Sequence, residues 1–231
     1  GTAAATASSS GSITPSAQWV NNTAGFSISK YTGTGAAATI GHGLSTPPGF
    51  IIVKNIGQTD SWAVYHKETG NTHALTLDTD ATSTDSDAFW NDTTPTNTVF
   101  SVKTDPRTNG SSEDMIAYAW TEIPGYSKFG KYTGNNNAEG PFIHTGFLPK
   151  WLLVKQTGTQ NWSLTDGERN LHNPVNAGLY PDLNNAESTS TRFDYLSNGF
   201  KLRATLGEIN AAATYIYAAF AEFPFKTTRA K

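Results

Sequence analysis

The sequence has no cysteine among its 231 residues. It therefore holds neither a disulfide framework nor a thiolate nucleophile, and its stability must come from packing, hydrogen bonds or self-association. Charge is sparse as well: 15% of residues are charged, and 16 Lys and Arg against 19 Asp and Glu leave a formal net charge of −3. No basic field exists to hold nucleic acid or an anionic membrane, which argues against polyanionic partners. No apolar run approaches the length of a signal or membrane-spanning segment, so membrane insertion is not expected. The chain opens Gly1-Thr2 rather than with Met, which reads as a piece of a longer polypeptide.

What the sequence does contain is 21 Gly, 11 Pro, abundant Thr, Ser and Asn, and 12% aromatic residues. That is the profile of many short strands joined by turns. Residues 1–16, GTAAATASSSGSITPS, are small and polar and offer little to a core. They read as a linker or extended arm, and residues 1–25 as a whole are assigned to that arm.

The tetrapeptide KYTG occurs twice, at Lys30–Gly33 and Lys131–Gly134. Around it, Phe50–Lys54 (FIIVK) matches Trp151–Lys155 (WLLVK), and further on Trp62 matches Trp162, Glu68 Glu168, Phe100 Phe200, Ile116 Ile216, Glu122 Glu222 and Pro124 Pro224. The sequence thus reads as two copies of one unit, 26–125 and 126–231, with a period longer than that of any solenoid. Almost no linker separates them at Pro124-Gly125-Tyr126, which favours close packing. KYTG itself is expected to end the first strand of each copy, with Tyr inward and Gly at a backbone angle other residues resist.

Inside each copy the pattern is that of strands. FIIVKN (50–55) and WLLVKQ (151–156) are branched apolar runs between turn residues, while SWAVYH (61–66), HALTLD (73–78) and VFSVKT (99–104) alternate with period two. The closing runs MIAYAWTEI (115–123) and TYIYAAFAEF (214–223) are rich enough in Ala to suggest helix. The alternation of bulky aromatics with Ala assigns them instead to strands that let a second layer approach. The expected fold is therefore all-β: two tandem, closely packed, jelly-roll-like β-sandwiches of about six or seven strands each, behind an extended N-terminal arm.

Chemistry is harder to find. There is no GxSxG elbow, HExxH helix, Walker loop or complete EF-hand, and YTGTGAAATIG is a glycine-rich turn rather than a dinucleotide loop. In LDTDATSTDSDAF, the residues Asp78, Asp80, Asp85 and Asp87 supply enough oxygens for Ca²⁺ if a loop gathers them, though a solvated loop is the alternative. The histidines His42 and His144 sit beside glycines, as turn-stabilising residues do, and His66 and His73 flank a hairpin without a matching pair in the second copy. Glu68 with Glu168, and Glu122 with Glu222, form candidate acid pairs for glycoside hydrolysis. A catalytic pair is needed once, however, so recurrence favours structural carboxylates. Trp90, flanked by Asn91 and Asp92, is the candidate sugar platform, an aromatic face beside hydrogen-bonding groups. Loop packing or a subunit interface is its other reading, and Trp62, Trp151 and Trp162 are assigned to the core.

From Phe26 to Arg229 the run of features, KYTG, HGL, PGFIIVKN, ALTLDT, FWND, VFSV, then GYSKFGKYTGN, GPFIHTGF, WLLVK, LSNGFKLR and TYIYAAFAEFPFKT, resembles a domain of unknown function that recurs in proteins of marine bacteriophages and prophages. The resemblance implies a concanavalin-type jelly roll, a class that includes sugar-binding modules, within tail-fibre-like or other virion proteins. It implies a non-enzymatic structural module of a tail fibre or surface appendage that adheres to the host, with other virion proteins, a trimeric homo-oligomer and host glycans as partners. A capsid decoration or head-fibre protein is the alternative, with residues 1–16 as an arm across neighbouring subunits. A glycan depolymerase with Glu68 or Glu168 as acid is the third reading.

Overall fold

The computed structural model describes residues 7–222. Among them are seventeen strands and three four-residue helices, so the protein is all-β. The chain forms two compact units, the first running to Leu77 and resuming over Ser83–Glu122, the second formed by Asp78–Thr82 and the chain from Ile123.

Unit 1 contains β1 (Ala17–Asn21), β2 (Phe26–Thr32), β3 (Ala38–Gly41), β4 (Phe50–Asn55), β5 (Ala63–His66), β6 (His73–Thr76), β7 (Thr84–Asp85), α1 (Asp87–Trp90), β8 (Val99–Val102), α2 (Pro106–Asn109) and β9 (Asp114–Trp120). Its antiparallel sheet runs β1-β2-β9-β4-β5-β6-β7, and β3 pairs with β8 separately. Ile40, Phe100 and Val102 from the small sheet join Ile51, Val53, Met115, Ala117 and Ala119 from the large one in a single core cluster. Two hydrophobic faces closed on one core give the sandwich character.

Unit 2 contains β10 (Ser127–Thr133), β11 (Phe142–His144), β12 (Trp151–Gln156), β13 (Ser163–Asp166), β14 (Gly178–Leu179), β15 (Phe193–Leu196), β16 (Gly199–Leu202), α3 (Gly207–Asn210) and β17 (Thr214–Phe220). A five-stranded sheet, β10-β17-β12-β13-β14, and a three-stranded sheet, β11-β16-β15, share the core of Leu152, Val154, Phe193, Phe200, Tyr215 and Tyr217.

Both Ala-rich closing runs are strands, β9 and β17, each central between two antiparallel neighbours. Their inward positions correspond in sequence but differ in size. Met115, Ala117 and Ala119 face the core of unit 1, where unit 2 presents Tyr215, Tyr217 and Ala219. The expectation that small residues face the second layer therefore holds for β9 and is reversed for the tyrosines of β17.

The KYTG motifs make the same bonds in both units. Tyr31 Oη donates to Thr108 O at 2.6 Å, and Tyr132 Oη to Ile209 O at 2.7 Å. Gly33 and Gly134 have ordinary φ angles, contrary to expectation; their requirement is space. A Cβ on either would lie 2.1 Å from a carbonyl oxygen, of Gly110 or Ala211. The buried Asn109 and Asn210 then tie the following turn, accepting from Thr34 N (2.8 Å) and Asn135 N (2.9 Å).

Two further assignments change. Residues 17–21 form β1 of the large sheet rather than a free linker, and Ile13 bridges Ile40 in parallel within the core, so residues 8–16 lie on unit 1. Residues 1–6 of the expected arm lie outside the described residues. Of the three tryptophans assigned to the core only Trp162 is fully buried; Trp62 and Trp151 are partly exposed.

Candidate functional site

Trp90 is 2% exposed, and its ring packs edge-on against Tyr65 at 5.8 Å within the unit 1 core. A buried ring offers no face for a sugar to stack on, so the expected platform of Trp90, Asn91 and Asp92 is corrected to a packing element. The physical reason is the size of its neighbours. Where unit 2 fills its core with Tyr217, unit 1 has Ala117, and Phe89 and Trp90 from α1 belong to that same cluster. Asn91 closes α1 in the left-handed conformation (φ 52°), and the Asp92 carbonyl accepts from Asn71 Nδ2 at 2.7 Å.

The four aspartates considered for Ca²⁺ are divided between the two units. Asp78 and Asp80 fall in unit 2, whereas Asp85 ends β7 and Asp87 opens α1 in unit 1, where Asp87 pairs with Lys103. Among the described residues no group of three or more His, Asp or Glu side chains could hold a metal ion. Two of the recurring glutamates are engaged in ion pairs, Glu122 with Lys67 and Glu168 with Lys150, each at 2.8 Å.

His42 and His66 of unit 1 accept from backbone N–H groups, of Leu44 and Glu68. His42 is fully buried; Leu44 N donates to its Nδ1 at 3.1 Å, so its other nitrogen, 3.1 Å from Thr96 O, carries the proton. Burial lowers its pKa from the ordinary 6.5. The unfolded chain then binds the proton more readily than the folded one. Stability from this site is complete above about pH 6.5 and falls as the pH drops from there toward the folded-state pKa. Melting curves at pH 7.5 and 5.5 are expected to show a larger loss for the native chain than for a His42→Gln variant; equal losses would refute the assignment.

Unit 2 holds the polar features that motif reading passed over. Lys155 is fully buried, its Nζ donating to the carbonyls of Gln156 (2.6 Å) and Gly158 (2.7 Å) beside Asp80 O (3.5 Å). Burial draws its pKa down to about 8, opposed by Asp182 and Asp80. The sequence-matched Lys54 does similar work, reaching Gln58 O and Asp60 O, so this lysine is a turn-filling cation rather than a nucleophile. Arg192 is also fully buried, bonded to Glu208 and Ser163 (3.0 Å each) and to Tyr180 Oη (2.7 Å).

The surface of unit 2 offers a cleft of about 150 Å³ whose lining includes Leu148, Pro149, Lys150, Leu171, His172 and Asn173. Asn173 is engaged, its amide pairing with Tyr195 N and O at 2.8 Å each. The exposed leucines, Leu171 at 74% and Leu148 at 41%, dominate what remains. Tyr195 also lines the cleft, and the next residue, Leu196, lies on the solvent face of the β11-β16-β15 sheet with Phe142 and His144. Candidate binding surface is thus concentrated on unit 2. Sequence reasoning gave no warning, because Phe142 and His144 sit in a strand of only three residues.

These features define an all-β protein with two cores. The match to the domain of unknown function DUF7483 spans residues 1–224, and the chain belongs to that family. No curated protein and no solved structure matches it.

Proposed function

We propose that the chain is a structural module of a bacteriophage virion, part of a tail fibre or related surface appendage that adheres to the host, and that its two units descend from one duplicated sandwich. The observation that carries this reading is how the recurring polar residues are used. In both units the KYTG tyrosine and the buried asparagine are bonded to backbone, and Glu122 and Glu168 to lysines. Residues retained in two copies for internal bonding serve shape, and the adhesive work then falls to solvent-facing groups. The family match is consistent with such a role, and trimeric assembly with other virion proteins accords with it.

Adsorption of the fluorescently labelled chain to bacterial cells, with light scattering for its oligomeric state, tests the proposal. Saturable adsorption by an oligomer is expected. A monomer that adsorbs to no cell, and that labelled antibodies fail to find on purified particles, would sink it.

A further inference from the structure

The solvent side of the three-stranded sheet in unit 2 carries side chains that the core does not require. Phe142 and His144 flank the core residue Ile143, and the register sets Phe142 beside Lys201 and Asp194, and His144 beside Gly199 and Leu196. Phe142 is 45% exposed. Its ring lies over Gly199, where an added Cβ would meet Cζ at 2.9 Å, so the bare glycine lets the ring lie down on the sheet. Around it Lys201 pairs with Glu139 at 2.7 Å and Arg203 with Asp194 at 2.9 Å, a rim with both signs of charge.

Unit 1 shows what the fold does otherwise at the matching place. Ile40 pairs with Phe100 as Ile143 pairs with Phe200, so Thr39 and Gly41 stand where Phe142 and His144 stand. There the N-terminal segment covers the strand: Ile13 N donates to Thr39 O at 2.9 Å, Thr39 N to Ser12 Oγ at 2.9 Å, and Gln18 Nε2 to Gly41 O at 2.7 Å. A Cβ at Gly41 would lie 2.5 Å from Ser8 Oγ. His144 is therefore incompatible with a segment laid along β11 by the same path, and β11 is an edge strand among the described residues.

We propose that this face binds a neutral glycan, with a pyranose ring stacked on Phe142 and its hydroxyls bonded to His144 and to the Lys201–Glu139 and Arg203–Asp194 pairs. A pyranose has one apolar C–H face and a rim of groups that both donate and accept, which an exposed aromatic beside balanced ionic pairs complements. Two cations against two anions give no preference for an acidic sugar. The inference rests on the adhesion reading and names its ligand class.

The test is an array of neutral and acidic bacterial surface oligosaccharides probed with the full chain, followed by titration of the bound ones against Phe142→Ala, Phe142→Tyr and His144→Ala, with whole-cell adsorption in parallel. Phe142→Ala is expected to weaken neutral-oligosaccharide binding more than about tenfold at an unchanged melting temperature, and Phe142→Tyr to retain it. Undiminished binding by folded Phe142→Ala overturns the site, and binding confined to acidic oligosaccharides overturns the ligand class. Binding to no oligosaccharide overturns the inference; continued adsorption to cells would then leave the adhesion reading standing, and loss of both would remove both. Binding of a peptide of residues 8–16, with protection of the Phe142 amide from exchange, would make β11 a strand-pairing edge and also overturn it.

Discussion

Trp90→Ala is expected to destabilise unit 1 by about 3–5 kcal/mol, the range for removing a large buried aromatic. The ring is 2% exposed and lies in the cluster with Tyr65, Phe89 and Ala117, so its removal leaves a void that β-sheet backbone cannot collapse to fill. Among the described residues its buried indole Nε1 has no hydrogen-bond partner. Trp90→Phe is therefore expected to cost much less, because it drops an unsatisfied donor while keeping most of the ring. Hydrogen exchange resolved by mass spectrometry reads the effect, with protection lost across β5, β6 and β8 in the Ala variant alone. Unchanged protection together with loss of cell adsorption would restore Trp90 as a surface platform.

Arg192→Ala is expected to cost unit 2 about 3–5 kcal/mol, because it leaves the Glu208 carboxylate without its cation in a nearly dry site. Side-chain exposure is 0% for Arg192 and 14% for Glu208, so solvent screens the pair little. The guanidinium also bonds Ser163 and Tyr180; Ser163 would lose that donor, while Tyr180 Oη keeps its bond to Glu208 at 3.2 Å. The double variant Arg192→Met/Glu208→Met removes both charges and is expected to lie closer to the native chain than Arg192→Ala does. Denaturant unfolding of the three proteins decides the matter; a double variant no better than the single one would show that the hydrogen bonds, rather than the lone carboxylate, set the cost.

The parts of the fold legible in the sequence were those fixed by short-range pattern. FIIVKN and WLLVKQ became β4 and β12 with the expected bounds, because branched apolar runs between turn residues fit little except a buried strand. The closing runs are strands despite their Ala content because bulky aromatics alternate with Ala along them. The candidate site was not legible. Trp90 sits beside Asn and Asp in sequence, as a sugar platform would, yet its ring is buried against Tyr65 in the unit 1 core, which only the packed structure reveals. Phe142 was invisible for the opposite reason: GPFIHTG reads as a turn-rich connection, and its exposure follows from pairing with β16 and from the bare backbone of Gly199.

Taken alone, the sequence determined the strand class, the recurrence of one pattern through two halves, and the exclusion of thiol chemistry. Those are consequences of residue type and spacing, which act over a few neighbours. Tertiary structure decided which aromatics face inward, where the N-terminal segment lies, and which of two matched strands stays uncovered. Each of these depends on the volume left by residues distant in the chain, and side-chain volume in a close-packed core is settled only when the layers meet.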